Sequence, residues 1–379
     1  MALSTAPGFA SFDVTDKSQI LDISSVLSEA LYLDTGWLRG AFHMDDPVED
    51  TAYYWNEEAL NARTATLAAS VASTGTSISL TAGHGTRFAV GDLIYDSTTV
   101  PSTEIMQVTA ISTDTLTVAR TYNSTVATSF ASTATIATFS AYQENSDFTA
   151  DKSVKPVVRS GLTQILFAGD LQISRSQRNR RMATVAMDVD RQLANRAIEL
   201  KFDITRVGLY GEKAASAGSD TVYRTCAGMR SWIRDGGGVV DSTAASLTSA
   251  NINSNNKSLV DRGKYVDTLL LGTDLVYQVA AIDSSNRRLL ESDTQVGYTV
   301  QQIVLQQGNV VNIVIDGRVK PGDVFLYDSG SVTMHPFAGS GMFVIAATDF
   351  TDGVKRRIGS EVGLKFRNPE GAAYLHSKT

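Results

Sequence analysis

The chain has 379 residues, 43% of them hydrophobic, so it is long enough for roughly two or three domains and too apolar to be disordered throughout. Its formal net charge of -7 argues against a dedicated binder of duplex nucleic acid, because such proteins are expected to be basic. Cys226 is the single cysteine, which excludes an intrachain disulfide and a zinc site built from cysteines.

The sequence carries no signal for export or for membrane insertion. No apolar run approaches the ~20 residues of a membrane span. The first residues, MALSTAPGFASFDVTDKS, have no basic segment followed by an apolar run. These patterns predict a soluble protein that folds in a reducing cytoplasm and contacts no membrane.

The N-terminal segment is predicted to be an extended arm followed by a short helix. Residues 1–15 are small, polar and aperiodic. In residues 17–33 the apolar side chains recur at spacings of three and four, which indicates an amphipathic helix; they are Ile20, Ile23, Leu27 and Leu31. Aromatic residues typical of a strand follow at Tyr53 to Trp55.

An acidic segment, HMDDPVED, precedes that strand. It contains residue types that bind metals, namely His43, Asp45, Asp46 and Glu49. One histidine with carboxylates on a loop is more often a solvated turn, so we predict no metal site there.

Composition changes at Ala62, and residues 62–141 are rich in Ser, Thr and Ala. Short strand patterns occur at Ser77–Leu80, Asp92–Asp96, Glu104–Ile111 and Thr115–Arg120. Turn signals with Gly and Asp separate them. This spacing predicts a small all-β module, a barrel or a sandwich, inserted between two segments that resemble the arms of one hairpin.

The stretch from Arg175 to Gly211 is predicted to be a long helix. Its apolar residues follow steps of three and four on one face: Met182, Val185, Val189, Leu193, Ala197, Leu200, Ile204 and Val207. Gly208 and Gly211 are interpreted as the stop signal. At its start, Arg175, Arg178, Arg180 and Arg181 form a basic cluster. A phosphate site is possible there, but the acidic total favours a salt-bridge face between subunits.

The remainder of the chain has a mixed α and β pattern. We predict a helix within Ser246–Arg262, and a second helix from Leu275 to Leu290 capped by Thr273. The predicted strands lie at Asp267–Gly272, in a hairpin over Val300–Asp316 that turns at Gly308, twice within Lys320–Phe337, at Gly341–Phe350 and at Val362–Phe366.

No catalytic motif is present. The sequence lacks a Walker A loop and a G-x-S-x-G elbow, and its four histidines never stand at i, i+4 spacing. A buried structural role is favoured for Cys226 over a nucleophilic one. We therefore predict no enzyme activity, no cofactor and no metal.

The order of these parts resembles the major capsid protein of tailed bacteriophages, which has the Hong Kong ninety-seven type fold. The stretches that carry the resemblance are TAYYWNEEALNA (51–62), VVRSGLTQILFAGDLQIS (157–174), AIELKFDITRVGLYG (197–211), RVKPGDVFLYDSGSVTMHPF (318–337) and GSEVGLKFRNPEGAAYL (359–375).

The resemblance implies an α+β fold with a long spine helix, an axial domain, an extended E-loop and a small all-β insertion domain. The implied parts are an N-terminal arm (1–42), E-loop arms (43–61 and 142–168), the insertion domain (62–141), a peripheral domain with the spine helix (169–220 and 341–379) and an axial domain (221–340).

The resemblance also implies assembly of the chain with itself into pentamers and hexamers of an icosahedral shell. That shell would enclose double-stranded DNA in a virion built in the host cytoplasm. Its implied partners are a portal, scaffolding or decoration proteins, and DNA without sequence specificity. The expected subunit contacts are Trp55, Glu57, Glu58, Arg175, Arg178, Arg180 and Arg181.

Three alternatives remain open from the sequence. The Ser/Thr-rich β module suggests a phage tail or surface-adhesion protein, which the long helix and the α/β second half argue against. A bacterial nanocompartment shell protein shares the fold, and the contents of the shell would distinguish it. An enzyme would need a cofactor site that the sequence does not show.

Some members of the family join subunits through an isopeptide bond between an E-loop lysine and an asparagine. No lysine occurs here from Ser18 to Asp151, a span that includes the ascending arm and the inserted module. We therefore expect a shell held by non-covalent contacts. Mature particles boiled in detergent should run as one monomer band. A ladder of covalent oligomers that survives reduction would contradict this and point to Lys152 or Lys155.

Overall fold

The computed structural model contains helices and sheets together, which confirms the predicted α+β class. The chain divides into two compact units: unit 1 comprises Met1–Tyr54 and Ser160–Thr379, and unit 2 comprises Trp55–Arg159. The structure describes residues 37, 43–44, 46–58, 62–98, 104–141, 156–174, 176, 189–215, 218–219, 221–282, 287–289, 301–346 and 353–378.

The strands and helices are numbered in chain order. The strands are β1 His43–Met44, β2 Ala52–Glu57, β3 Thr64–Thr66, β4 Ser77–Ser79, β5 Leu93–Asp96, β6 Ile105–Ser112, β7 Thr115–Ala119, β8 Thr135–Phe139, β9 Val157–Leu162, β10 Gln164–Ser174, β11 Val239–Asp241, β12 Thr268–Leu271, β13 Arg287–Leu289, β14 Gln301–Val304, β15 Val310–Ile315, β16 Val324–Tyr327, β17 Val332–Pro336, β18 Phe343–Ala346, β19 Gly353–Phe366 and β20 Ala373–Leu375. The α-helices are α1 Val189–Tyr210, α2 Met229–Asp235, α3 Ser249–Val260 and α4 Val276–Ala280.

The long helix is present as α1 in unit 1. Its apolar stripe turns inward: Leu200 is fully buried and Ile204 is nearly so. The opposite side carries exposed ion pairs at i, i+3 spacing, such as Arg196–Glu199. Residues 177–188 lie outside the described residues, so the predicted helix start at Arg175 remains a prediction.

Gly208 does not stop the helix, contrary to the expectation, because α1 continues through it to Tyr210. The glycine serves packing instead. A Cβ at this position would lie 2.4 Å from Cη2 of Trp37, so the absence of a side chain lets the indole lie directly on the helix. The backbone N–H of Trp37 donates to Asp316 Oδ2 at 3.0 Å, which holds the backbone of this residue in place.

The first sheet of unit 1 has five strands in the order β1-β17-β19-β10, with β18 also paired to β19. The 14-residue strand β19 is therefore its common partner: β10 lies along one side, and β17 and β18 lie along the other. Helix α1 packs against β10 and β19. The buried side chains of β19, including Val362, Leu364 and Phe366, form the core beneath that helix.

The second sheet of unit 1 has seven strands in the order β11-β20-β16-β12-β15-β14-β13. Strand β12 pairs parallel with β15 and antiparallel with β16. Its apolar cluster includes Leu259 of α3 and Leu269 and Leu271 of β12. The helix predicted in this region is present as α3, and its N-cap is Thr248, whose side chain accepts from the N–H of Asn251.

The expected boundary between residues 340 and 341 does not separate the two sheets. Strand β17, placed in 221–340, belongs to the five-stranded sheet, and β20, placed in 341–379, lies between β11 and β16 in the seven-stranded sheet. The physical reason is that pairing with β19 and β16 is non-local, and a hydrophobic pattern in the sequence does not specify a partner strand.

The predicted helix from Leu275 to Leu290 is present only in its first part. A single 3-10 turn at Thr273–Leu275 leads into α4, which ends at Ala280, and Arg287–Leu289 is the edge strand β13. Thr273 does not cap it, since the residue preceding the turn is Gly272 and no side chain caps there. The sequence has a turn signal, DSSN, at 283–286, and these residues lie outside the described part of the chain.

Unit 2 contains a six-stranded sheet in the order β3-β8-β5-β6-β7-β4. An isolated bridge between Leu67 and Leu80, just beyond β3 and β4, joins its two edges. The sheet is therefore closed as a barrel, which distinguishes between the two architectures that the sequence left open. Fully buried side chains such as Ile78, Ile94 and Ile136 fill its interior.

A buried ion pair holds the loops at one end of the barrel. Arg120 Nε donates to Glu104 Oε1 at 2.9 Å, and Arg120 Nη1 donates to the carbonyl oxygens of Ala72 and Gly75. Glu104 also accepts from the N–H of Thr128 at 2.6 Å. Because both charged groups have partners, this network positions two loops and leaves neither charge unpaired in the interior.

The packing of α1 gives a direct test. Leu200→Asp places an unpaired charge in the core, and we expect it to lower the free energy of unfolding by about 3–5 kcal/mol. Ile198→Asp is the matched control, because Ile198 is 39% exposed. It should change stability by less than about 1 kcal/mol. Denaturant unfolding of both variants measures this, and equal stabilities would refute the assignment of the buried face.

Candidate assembly surface

Strands β2 and β9 pair in a two-stranded sheet, called the ribbon below. Two of the predicted contact residues are engaged within their own chain. Trp55 is 8% exposed and its Nε1 donates to Glu57 Oε1 at 2.8 Å, and Glu57 pairs with Arg159 at 2.5 Å. Glu58 is exposed just after β2. The other predicted contacts, Arg175, Arg178, Arg180 and Arg181, lie outside the described residues.

Tyr53 is held in a glycine-lined socket of unit 1. A Cβ at Gly161 would lie 2.3 Å from Tyr53 Cζ, and one at Gly363 would lie 2.6 Å from Cε1. The Tyr53 hydroxyl donates to the carbonyl oxygen of Leu364 at 2.8 Å, and burial raises its pKa well above the ordinary value. The sequence predicts a strand at Tyr53 but contains no indication that distant glycines receive its ring.

A polar cluster lies beside this socket. Arg224 pairs with Glu361, and its Nε donates to the carbonyl oxygen of Thr163 at 2.6 Å. The Thr163 hydroxyl donates to Glu361 Oε1 at 2.7 Å. The junction between β9 and β10 is thereby tied to β19 and to the loop after α1. Sequence reasoning missed all three residues, which are separated by up to 198 positions.

Cys226 is a buried thiol next to this cluster. Its Sγ accepts from the N–H of Leu364 at 3.1 Å, and burial raises the thiol pKa to about 12. A thiol that stays protonated is a poor nucleophile, so the structural role predicted for it is consistent with its surroundings.

The five-stranded sheet has one face covered by α1 and a partly open opposite face. On that opposite face, Ile165, Phe167 and Ile345 are exposed, and we call this group the open face. The Phe167 and Phe343 rings meet edge to face with centroids 5.9 Å apart. They pack across Gly359, where a Cβ would lie 2.7 Å from Phe167. Exposed apolar side chains on a sheet face are typical of a protein contact surface.

A basic edge borders the open face. Asp170 accepts from both Arg357 and Lys355, and these hydrogen bonds hold the pKa of its carboxyl well below the ordinary value. Arg357 also lies over the Phe167 ring, 5.2 Å from its centroid. Two cations share one carboxylate, so the edge carries a net positive charge.

Neither a cluster of metal-binding side chains nor a membrane-spanning helix is found among the described residues. No group of three or more His, Cys, Asp or Glu is placed to hold a metal within them. Asp46 and Glu49, from the acidic segment, are exposed, and the Asp46 carbonyl lies 2.9 Å from His335 Nδ1. No helix in the described ranges is long and apolar enough to cross a membrane.

Comparison with known proteins gives one family and several solved structures. The family model "SU10 major capsid protein" matches residues 12–379. No curated protein matches the chain.

Three solved structures are similar at low sequence identity. The capsid of Myoviridae phage XM1 has 10% identity and a TM-score of 0.49, with 95% of this chain and 99% of that chain covered. A structure of Mycobacterium phage Adephagia has 11% identity and a TM-score of 0.46, covering 93% and 94%. The SrpI encapsulin complex of Synechococcus elongatus has 11% identity and a TM-score of 0.43, covering 59% and 78%.

The Tyr53 socket predicts that a glycine-to-alanine change inside it lowers stability more than the same change elsewhere. Gly363→Ala should lower the free energy of unfolding by about 1–3 kcal/mol, because the new methyl group overlaps the ring. Gly317→Ala is the control, since a Cβ there meets no atom within 4 Å. Denaturant unfolding of the full chain, followed by tryptophan fluorescence, measures both. A Gly363→Ala protein as stable as the control would show that the socket does not constrain Tyr53.

Proposed function

Because the chain belongs to the SU10 major capsid protein family, we propose that its copies form the pentamers and hexamers of an icosahedral head shell around double-stranded DNA. The observation that carries the proposal is the family match over residues 12–379. Family membership itself makes the chain a structural subunit of the virion capsid, and it confirms the resemblance found in the sequence.

We assign the parts of the proposed shell subunit from the strand pairing. The ribbon serves as the base of the E-loop, and the barrel of unit 2 is the domain inserted in it. Helix α1 with the five-stranded sheet forms the peripheral part, and the seven-stranded sheet forms the axial part. Support comes from the ribbon strands, which flank the barrel in the sequence and pair with each other.

We place a subunit contact between the ribbon of one copy and the open face of the next. Val157 and Val158 are exposed on β9, and they match the apolar character of the open face. Glu58 is exposed at the end of β2 and complements the positive edge at Lys355 and Arg357. Apolar burial supplies the strength of such a contact, and charge supplies its register.

The remaining partners follow from the same assignment. The net charge of -7 favours a wall that surrounds DNA without binding it tightly. A portal and scaffolding or decoration proteins complete the proposed particle.

A nanocompartment shell is the second candidate, and the family match to a capsid protein favours the virus. The test is microscopy of purified particles with analysis of their contents: DNA supports the proposal, and a cargo enzyme contradicts it.

The proposed contact predicts a charge-reversal rescue. Glu58→Lys should reduce the yield of closed shells, because the new lysine meets the positive edge of the neighbouring copy. Adding Lys355→Glu in the same chain should restore part of that yield.

Glu199→Lys is the control, because Glu199 is an exposed residue of α1 outside the contact. Shell yield by sedimentation and microscopy, with thermal unfolding to verify folding, is the measurement. If Glu58→Lys assembles as well as the control, Glu58 does not take part in the contact.

A further inference from the structure

The loop that follows α1 holds a tyrosine out into solvent. Tyr223 is 90% exposed, and Val222 before it is also exposed. Two hydrogen bonds fix the backbone of this loop, because the N–H groups of Ser219 and Val222 each donate to the carbonyl oxygen of the other residue. A large ring displayed on a fixed loop is typical of an anchor residue in a protein contact.

The residue after Tyr223 ties this loop to the open face. Arg224 pairs with Glu361 and donates from Nε to the carbonyl oxygen of Thr163 at 2.6 Å. Glu361 stands directly opposite Ile165 of the open face in the pairing of β19 with β10, so the two side chains share one side of the sheet. Tyr223 and Ile165 therefore both lie next to the Arg224–Glu361 pair.

The ribbon carries a second exposed tyrosine. Tyr54 on β2 is 69% exposed, whereas its neighbours Tyr53 and Trp55 are buried. Strand alternation, continued one residue past the end of β2, places Tyr54 on the same side as Asn56 and Glu58, which are both exposed. The ribbon thus presents a ring and a carboxylate on one side, four residues apart.

This spacing matches the spacing along β19. Four residues of extended chain span about 13 Å, and four residues also separate Arg357 from Glu361. The proposed subunit contact sets Glu58 of one copy at the positive edge of the next copy, which includes Arg357. A ribbon that runs antiparallel to β19 from that point brings Tyr54 to the level of Glu361, beside Tyr223. Charge then fixes one end of the contact, and two rings meet at the other.

We propose that Tyr54 of one copy packs against Tyr223 and Ile165 of the neighbouring copy in the shell. The inference rests on the proposed function, because it adds an aromatic anchor to the contact between the ribbon and the open face. The partner is a second copy of this chain, since its own ribbon carries the matching ring and carboxylate at the matching distance. Within one chain Tyr53 holds the ribbon in its socket, and both exposed tyrosines remain uncovered there.

Cross-linking between copies tests this contact in assembled shells. Full-length chains carrying Tyr54→Cys are co-assembled with full-length chains carrying Tyr223→Cys, and the shells are treated with a short bis-maleimide. Each chain has only one of the two new thiols, so a covalent heterodimer forms only between copies. Cys226 is buried and supplies no reactive thiol. We expect the heterodimer as the main covalent product on a denaturing gel, and none from shells of either variant alone.

Tyr265→Cys is the matched control partner for Tyr54→Cys, because Tyr265 is an exposed tyrosine outside the open face. This pair should give no heterodimer. Shells without the Tyr54–Tyr223 heterodimer, or an equal yield from the control pair, would overturn the inference and leave the proposed function standing. A wild-type chain that forms no shells would contradict the proposed function instead.

Assembly itself gives a second measurement that needs no cysteine. Tyr223→Ala should raise the protein concentration at which shells form by about fivefold or more, because the aromatic pair is lost. Tyr223→Phe keeps the ring and should assemble near the wild-type concentration. Thermal unfolding verifies that both variants are folded. A Tyr223→Ala chain that assembles as readily as the wild type would show that this ring does not anchor the contact.

Discussion

One face of β19 positions the elements that pack on the five-stranded sheet of unit 1. Its residues Gly359, Glu361 and Gly363 alternate along the same side, and each receives a different element. Gly359 accommodates the rings of Phe167 and Phe343, and Gly363 accommodates Tyr53. Glu361, between them, binds Arg224 and Thr163. Two glycines and one buried carboxylate therefore position strands that are far apart in sequence.

Ion pairs and apolar packing contribute differently to the stability of the fold. Exposed pairs such as Arg196–Glu199 contribute only about 0–1 kcal/mol each, because water and side-chain entropy offset the attraction. The Arg224–Glu361 pair is mostly buried, so it costs desolvation and is expected to add specificity more than stability. Stability must then come chiefly from apolar packing, in the core under α1 and in the cluster of the seven-stranded sheet. The same balance should hold between subunits, where apolar side chains supply the strength and the positive edge supplies the register.

Local patterns in this sequence predict structure well, and non-local ones do not. The stripe through Leu200 and Ile204 specifies the buried face of α1, because helical periodicity is a property of neighbouring residues. Turn signals likewise predict four of the six strands of the barrel, β4 to β7, and leave β3 and β8 unpredicted. The partners of β20 and the socket of Tyr53, in contrast, depend on residues far away in the chain. Gly208 shows the difficulty: a glycine inside a helix is interpreted as a stop, although here it makes room for Trp37.

The charge distribution of the barrel follows from its closed sheet. Glu104 lies inside, where Arg120 and a backbone N–H group satisfy it, so it positions loops without making the exterior acidic. The outer wall is left largely to Ser, Thr and a few aromatic residues. Because the barrel has its own apolar cluster, outward substitutions at Tyr95 or Phe139 remove no member of that cluster, such as Ile94 or Ile136. The surface of this domain can therefore vary in sequence without a penalty to the core that keeps it folded.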